Sequence, residues 1–333
     1  MSALRVGIVG AGLIGSRRAD FAAAAGDAVV AVADVDSGRA GALAGRHGAR
    51  PFADWRRLLD SEELDAVVVA TVNRHLSEIS VAALEAGRHV LCEKPPGRTA
   101  AEAVAMASAQ RRSGRVLKIG FNLRFHPALA RAHELFSAGE IGSPLYVRAV
   151  YGHGGRPGYG SEWRADLELA GGGELLDQGV HVIDLCRWFL GDFSEAEAIL
   201  AGLFWTSAPV EDNAFVTLRT AEGQVAAFHS SWTQWRNHFS FEVYGSEGCL
   251  QVEGLGGSYG PEIFVLGRRL PGRPPEEIRT EFPEDVSWRL DWHDFVEAVA
   301  GRRAPACGGE DGVEVMRLVD RLYARARPGE AAR

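Results

Sequence analysis

Cysteine is scarce in this sequence and never closely paired. Cys92, Cys186, Cys249 and Cys307 are scattered without a C-x-x-C spacing, which argues against both a disulfide scaffold and a zinc knuckle. Reduced thiols in a cytoplasmic protein are the simple account. No uninterrupted apolar run reaches the roughly 18 residues that a membrane span needs, and the opening "MSALRVGIVGAG" runs straight into a strand pattern without the charged-then-apolar layout of a signal peptide. No membrane association is expected. Excess positive charge is also missing: 36 basic against 44 acidic residues leave a net charge of -8, no footprint for a phosphate backbone, so nucleic acid is not expected as a partner. The mildly acidic balance serves solubility or favours a cationic substrate. The histidines show no H-E-x-x-H or comparable spacing, and no metal is expected. Internal repeats and low-complexity segments are absent as well. What remains is a chain of 333 residues, 46% hydrophobic and 24% charged, an ordinary globular composition with room for two domains.

The first part alternates strand and helix signals. "LRVGIVG", "AVVAVADV", "LDAVVVATV" and "HVLCEK" are apolar at nearly every position, and the Ala-rich or amphipathic segments "LIGSRRADFAAAAG", "RAGALAGRHG" and "LSEISVAALEAG" lie between them. Strands of that kind suit a parallel sheet covered on both faces. A doubly wound α/β domain is expected over residues 1–120. Beyond it, "PLYVRAVYG", "EAEAILAGLFW", "NAFVTLRT", "GQVAAFHSSWT" and "HFSFEVYGS" are short runs separated by turn signals, which suits a mainly antiparallel sheet in a second, α+β domain over 121–333. One long helix starting near Gly173 interrupts this series. The Gly/Pro-rich "GGRPGYGSEW" just upstream is a candidate pocket wall, "LPGRPPEE" reads as a surface connection, and the periodic tail "VEVMRLVDRLYARA" is a helix that packs back on the first domain.

The turn after the first strand reads Gly10-Ala11-Gly12-Leu13-Ile14-Gly15. Its glycines permit a tight turn, a close approach of backbone to a pyrophosphate, and tight helix-strand packing. Free N–H groups at the helix start then favour the anion. Asp34 closes the second strand roughly 20 residues on, where a carboxylate accepts both ribose hydroxyls of an adenosine and repels a 2'-phosphate. NAD is favoured; Arg39 leaves NADP open, and Asp34 has a rival role as a helix N-cap, one that Asp36 or Ser37 would fill equally well.

Nicotinamide chemistry on an alcohol needs a proton-transfer group beside the carbon that exchanges hydride. Lys94, in Glu93-Lys94-Pro95, leaves the apolar strand "HVLC" at the edge where such ligands bind. Asp177 and His181 in "GGELLDQGVHVID" are four apart, on one helical face, while Leu176, Val180, Ile183 and Leu185 point elsewhere. A solvated helix face is the plain alternative for the pair. Gly179 keeps one spot free of side chain for substrate or cofactor to come close.

Taken together, "GAGLIG", "ALEAGRHVLCEKP", "GFNLRFHPAL" and "AGGGELLDQGVHVIDL" resemble the Gfo/Idh/MocA family of glucose-fructose oxidoreductases and inositol dehydrogenases, over nearly the whole chain. The resemblance implies a Rossmann domain followed by a domain with a large open sheet used for oligomerisation, giving a homodimer or homotetramer. It implies an E-K-P motif at Lys94 with Pro95 often cis, and a D-x-G-x-H motif at Asp177 and His181. Thr71-Val72-Asn73 stands where relatives often have T-P-N, so Thr71 and Asn73 join Glu93 and Lys94 as cofactor contacts, while His75 carries over poorly. Asn122, Arg124, Trp163 and Arg164 match positions facing the substrate, Arg164 being equally suited to a structural ion pair. Trp232 and Trp235 offer an apolar face to a sugar ring or pack in the core.

The reading that follows is hydride exchange between nicotinamide and a secondary alcohol of a sugar, cyclitol or sugar-derived compound, including an amino sugar or aminoglycoside. His181 exchanges the proton, Lys94 stabilises the oxygen or is itself the base, and Asp177 holds the substrate or tunes Lys94. The alternative is an NAD-binding sensor or an NAD-recycling hydrolase-like protein on the same fold.

Overall fold

The computed structural model describes residues 3–61, 63–205 and 209–326. The described residues form two compact units, one running to Phe121 and joined by Trp288–Met316, the other comprising Asn122–Ser287 and the described residues from Arg317 to 326.

The first unit alternates β1 (Arg5–Val9), α1 (Leu13–Ala24), β2 (Ala28–Ala33), α2 (Ser37–His47), β3 (Arg50–Phe52), α3 (Trp55–Ser61), β4 (Ala66–Val69), α4 (Asn73–Glu85), β5 (His89–Cys92), α5 (Ala100–Ser113) and β6 (Leu117–Ile119). The strands pair in parallel in the order β3-β2-β1-β4-β5-β6. Every residue of β4 is buried, as a central parallel strand with both faces covered requires. The strand order reverses between β1 and β4, so the ends of those two strands define the crevice where such sheets bind ligands.

The second unit contains α6 (Pro127–Ser137), β7 (Pro144–Gly152), α7 (Leu167–Ala170), α8 (Val180–Leu190), β8 (Glu195–Ala201), β9 (Asn213–Arg219), β10 (Val225–Ser231), β11 (His238–Gly245), β12 (Gly248–Glu253), β13 (Glu262–Arg268) and β14 (Glu276–Phe282). Its strands run β14-β13-β12-β11-β7-β10-β9-β8. All neighbours are antiparallel except β7 and β10, which pair in parallel. One face is closed by α8, whose Val180, Val182, Ile183, Leu185 and Cys186 are wholly buried. Residues alternate accordingly: Ala214, Val216 and Leu218 of β9 point inward, while Phe215, Thr217 and Arg219 face out.

Two helices close the chain, α9 (Ser287–Val299) and α10 (Gly309–Arg325). α9 completes the core of the first unit, where Trp292 and Phe295 pack with Val6, Val32, Val68 and Leu91. Full burial of a side chain such as Phe295 contributes roughly 1.5–3 kcal/mol. α10 is shared between the units, dividing at Met316 and Arg317.

Candidate active site

The glycine turn joins β1 to α1 through two positions that only glycine fits. Gly10 has φ of 99°, and a Cβ there would lie 2.3 Å from the Ala70 carbonyl oxygen, so only glycine fits between β1 and the end of β4. A Cβ on Gly15 would meet the Gly10 carbonyl oxygen at 1.7 Å; this glycine seats α1 against the turn. A Cβ on Gly12, in contrast, would meet nothing within 4 Å, and no side chain caps the start of α1. The first N–H groups of α1 thus lack a side-chain acceptor from the protein, which suits an anion. Leu13 is exposed and Ile14 half-buried beside them.

Asp34 directly follows β2 and buttresses this turn. Its Oδ2 accepts from the Ala11 N–H at 2.7 Å and its Oδ1 from the Asp36 N–H at 2.9 Å. The helix-capping role belongs instead to Asp36, which accepts from the N–H groups of Gly38 and Arg39. Arg39 is exposed and its Nε lies 3.3 Å from Asp36. Thr71 sits half-buried after β4 with its hydroxyl donating to the Val72 carbonyl, and Asn73 opens α4 as a buried residue.

Lys94 follows β5, half-buried, and its bond to Pro95 is cis. Glu93 beside it points into a buried charge cluster. Arg18 Nε donates to Glu93 Oε1 at 2.7 Å, and Arg18 also pairs with Asp291. Lys118 pairs with Asp291 at 3.1 Å and with Asp294, which in turn meets Arg303. Glu93, anticipated as a cofactor contact, is therefore a carboxylate committed to Arg18. Its neighbour Lys94 is one of only two lysines in the chain, and the other, Lys118, is wholly buried in the cluster.

In the second unit, Asp177 and His181 stand on an irregular helix. Residues Leu175–Gly179 form a π turn that leads into α8, one residue wider than the regular helix their spacing implies; such bulges concentrate at functional sites. The N-terminus of this segment is anchored by Glu211, whose buried carboxylate accepts from the N–H groups of Gly173 and Leu175 and from the Tyr323 hydroxyl at 2.7 Å. A Cβ on Gly173 would lie 2.0 Å from the Glu211 carbonyl oxygen. Gly179 also serves packing: its Cβ would lie 3.0 Å from Ser230 Oγ of β10 and 3.1 Å from Leu175. The bare position expected to admit a ligand admits a strand instead.

Asp177 is only partly buried. Arg164 Nε lies 3.3 Å from its Oδ2, and the Tyr159 hydroxyl donates to the same oxygen at 3.5 Å. Arg164 also lies over the Trp163 ring, 4.6 Å from its centre. Burial opposes the Arg164 charge, yet Asp177, then Tyr159 and Glu162, hold its pKa above the usual arginine value. His181 is 5% exposed and meets the Tyr151 ring edge-on at 6.1 Å. Gln178 Nε2 donates to the Tyr259 hydroxyl at 3.1 Å. Burial, followed by neighbouring acids and tyrosines, pushes the Tyr151 and Tyr159 phenols up, and Tyr259 up to about 12. All three are hydroxyl donors at neutral pH and not bases. Sequence reasoning missed Tyr151, Tyr159 and Tyr259, because a tyrosine in a strand or glycine-rich loop carries no spacing signal.

Other anticipated contacts fall out differently. Arg124 is buried and held fork-to-fork by Asp184, at 2.9 and 2.6 Å, so its planar edge is used within the protein. The Asn122 amide reaches Ser287 Oγ at 3.5 Å. Trp232 packs in a core with Tyr159 and Val210, whereas Trp235 is 64% exposed. Among the described residues, no group of three or more His, Cys, Asp or Glu side chains is arranged to hold a metal ion.

Residues 4–121 match the oxidoreductase family with an NAD-binding Rossmann fold, and residues 129–251 match the GFO/IDH/MocA C-terminal domain. 1,5-Anhydro-D-fructose reductase of Ensifer adhaerens is 31% identical over 324 residues, 93% of this chain and 92% of that protein. The chain belongs to the Gfo/Idh/MocA oxidoreductase family. Within that family, levoglucosan dehydrogenase of Pseudarthrobacter phenanthrenivorans is 32% identical over 224 residues, spanning 60% of this chain and 57% of that protein. A solved levoglucosan dehydrogenase in complex with NADH superposes with a TM-score of 0.87 at 26% identity, covering 98% and 97% of the two chains. GenD2 from gentamicin A biosynthesis, solved in complex with NAD, superposes at 0.84 with 27% identity, covering 98% and 95%. As a Gfo/Idh/MocA oxidoreductase this chain uses NAD, and the residues of its first unit fit that cofactor: an uncapped helix start, an unencumbered Gly12 and a carboxylate at Asp34.

Proposed function

We propose that this enzyme oxidises a secondary hydroxyl of a cyclic polyol or sugar, or reduces the matching ketone, with Lys94, Asp177 and His181 carrying the chemistry. The observation that supports this most is the setting of His181: it meets the Tyr151 ring edge-on at 6.1 Å, and Tyr151 lies 5.5 Å from Tyr259; burial holds both phenols protonated, which leaves the imidazole as the general base. Bound NAD supplies the hydride acceptor. Gly10, Gly12, Leu13, Ile14 and Gly15 bind its pyrophosphate, Asp34 and Arg39 face the adenosine ribose, and Thr71 and Asn73 contribute at the end of β4. His181 removes the hydroxyl proton as the carbon loses hydride. Lys94 donates to the same oxygen and stabilises the charge that develops there. Asp177, oriented by Arg164 and Tyr159, accepts from a second substrate hydroxyl and fixes which carbon reacts.

The substrate class rests on the relatives named for levoglucosan and anhydrofructose. An amino sugar or aminoglycoside ring is the finer reading, favoured by the likeness to GenD2 and by the net charge of -8. The outer face of the large sheet serves assembly into a homodimer or homotetramer, because it exposes Ile199, Phe215 and Tyr146. The cytoplasm suits an enzyme whose four cysteines are free; among the described residues no helix is long and apolar enough to cross a membrane.

The deciding experiment follows NADH absorbance with NAD and NADP over a panel of inositols, hexoses, anhydrosugars and aminoglycosides. Turnover with at least one ring polyol is expected. Silence across the panel, with NAD binding confirmed calorimetrically, would overturn the dehydrogenase reading in favour of a redox-silent role.

A further inference from the structure

Gly171, Gly172 and Gly173 stand in a row just before the segment that carries Asp177 and His181. Gly171 closes α7 in a left-handed conformation; the other two make room. A Cβ on Gly172 would lie 2.1 Å from the Tyr323 hydroxyl oxygen, and one on Gly173 would lie 2.8 Å from the Glu211 carboxyl carbon. Both neighbours come that close in order to hold backbone. The Glu211 carbonyl accepts from the Glu174 N–H at 2.9 Å, and its carboxylate from the N–H groups of Gly173 and Leu175, each at 3.1 Å. These are amides that a helix start leaves without an intrahelical acceptor. The Gly173 carbonyl in turn accepts from the Asp177 N–H at 2.9 Å, so the backbone of Asp177 is hydrogen-bonded to a residue that Glu211 holds.

Glu211 is itself firmly mounted. It is 3% exposed, and its neighbour Asp212 is pinned between the ends of β8 and β10: the Asp212 N–H donates to the Ala201 carbonyl at 3.1 Å, and its carbonyl accepts from the Trp232 N–H at 2.8 Å. Burial pushes the Glu211 carboxyl up, against donation from the Tyr323 hydroxyl and from the Leu175 and Gly173 amides. A buried carboxyl of this kind depends on each of its donors.

One of those donors comes from the last helix of the chain. Tyr323 of α10 donates to Glu211 Oε1 at 2.7 Å. Arg321 of the same helix donates to the carbonyls of Phe193 and Ser194 at 3.0 and 2.7 Å, and Arg325 to that of Ala196 at 3.1 Å. Those carbonyls lie just beyond α8, which ends at Leu190. The end of α10 therefore grips the chain both where it enters the π turn and where it leaves α8.

We infer that Glu211 and Tyr323 are positioning residues, which fix Asp177 and His181 by holding the start of the π turn. The inference rests on the proposed roles of Asp177 and His181. Neither positioning residue touches substrate; each acts through the amides of Gly173, Glu174 and Leu175. Removal of the Tyr323 hydroxyl takes a donor from Glu211, and the turn that aims both side chains relaxes. Small misplacement of a proton-transfer group is enough to slow a reaction.

The test uses the full-length, NAD-loaded enzyme carrying isotope-labelled histidine, beside Tyr323→Phe, Glu211→Gln and the double variant. Nuclear magnetic resonance reads the His181 imidazole, assigned as the signal that disappears in His181→Ala. That signal is expected to shift in Tyr323→Phe and in Glu211→Gln, with circular dichroism unchanged. On any substrate that the enzyme turns over, kcat is expected to fall about tenfold or more in Tyr323→Phe, with the Kd for NAD within about twofold of wild type. Because Tyr323 acts through Glu211, the double variant is expected to lose no more than Glu211→Gln alone. A His181 signal that stays in place in Tyr323→Phe would overturn the inference, whatever the change in stability, and so would fully additive losses in the double variant. Tyr323→Phe keeps the ring and decides the question by itself if Glu211→Gln does not fold. The signal is read without turnover: a shifted His181 beside a silent redox panel sinks the dehydrogenase reading and leaves the positioning intact, and turnover beside an unmoved His181 does the reverse.

Discussion

Arg18 of α1 and Glu93 at the end of β5 meet at 2.7 Å in the interior of the first unit, the arginine fully buried. The pair ties the helix that begins at the glycine turn to the residue that precedes Lys94, 75 positions apart in sequence. Arg18, Lys118 and Arg303 balance Glu93, Asp291 and Asp294 across the cluster, so each charge depends on the others.

Replacing Glu93 with Ala leaves the Arg18 cluster with an uncompensated buried charge. Breaking such a pair costs about 3–5 kcal/mol. Urea denaturation is expected to show a loss of that order, together with weaker NAD binding as the turn before Lys94 loosens. A variant within about 0.5 kcal/mol of wild type would mean that the pair is dispensable.

Asp291 gives the cluster a pH signature. Burial works to raise its pKa, but Lys118 and then Arg18 hold it below the usual carboxylate value. A depressed folded pKa contributes stability above the unfolded value, near about 3.9, and that contribution disappears as pH falls through the folded pKa. The stability gap between wild type and Asp291→Asn is therefore expected to be constant from pH 7 to about 5 and to shrink on further acidification. Equilibrium unfolding at several pH values measures it, and a gap that widens in acid contradicts the assignment.

His181→Ala and Lys94→Ala test the proposed roles of proton-transfer group and oxygen-stabilising group. Loss of a positioned general base lowers kcat by about 10²- to 10⁴-fold, with NAD affinity little changed. If His181 is the base, the acidic limb of the pH-rate profile disappears in His181→Ala and persists in Lys94→Ala; the reverse pattern transfers the role to Lys94. Near-normal turnover in both variants would remove the pair from the mechanism.

Much of this arrangement was legible in the sequence for a physical reason. A parallel strand covered on both faces has no polar side to show, so "AVVV" of β4 is apolar throughout and betrays its sheet. The turn at Gly10 and Gly15 is legible because a Cβ would collide with neighbouring carbonyls. Three features left no such trace. The π turn over Leu175–Gly179 adds a residue to a helix without altering its composition, and a Cβ on its Gly179 would meet Ser230 of β10. The return of α9 depends on pairs such as Arg18 with Asp291, 273 residues apart, and long-range ion pairs have no period. Arg124, matched to substrate by its family motif, is instead claimed by Asp184, 60 residues on.

Phe215 projects from β9 on the outer face of the large sheet, stacked on His229 at 4.1 Å and 42% exposed. If that face joins subunits, Phe215→Lys places a charge in an apolar interface and is expected to lower the assembly mass toward the monomer in light scattering, without loss of secondary structure. An unchanged oligomer would locate the interface elsewhere, and a monomeric wild type would remove the proposal.

Asp34 holds the glycine turn, and in the proposed cofactor site it also decides between the two nicotinamide cofactors. Its two oxygens take the N–H groups of Ala11 and Asp36 at 2.7 and 2.9 Å, and each oxygen keeps a lone pair for a ribose hydroxyl. Asp34→Ala removes both functions. Hydrogen bonds to a charged group are worth about 1.5–3 kcal/mol, so the Kd for NAD is expected to rise about 10- to 100-fold. NADP binding falls less, because the repulsion between carboxylate and 2'-phosphate disappears with the side chain. Asp34→Ser, which keeps a short polar group, should recover part of the NAD affinity without restoring the discrimination. Fluorescence titrations with NADH and NADPH, run beside a denaturation curve, distinguish a lost contact from a loosened turn. If the two cofactors weaken by the same factor, Asp34 holds the glycine turn and does not read the ribose.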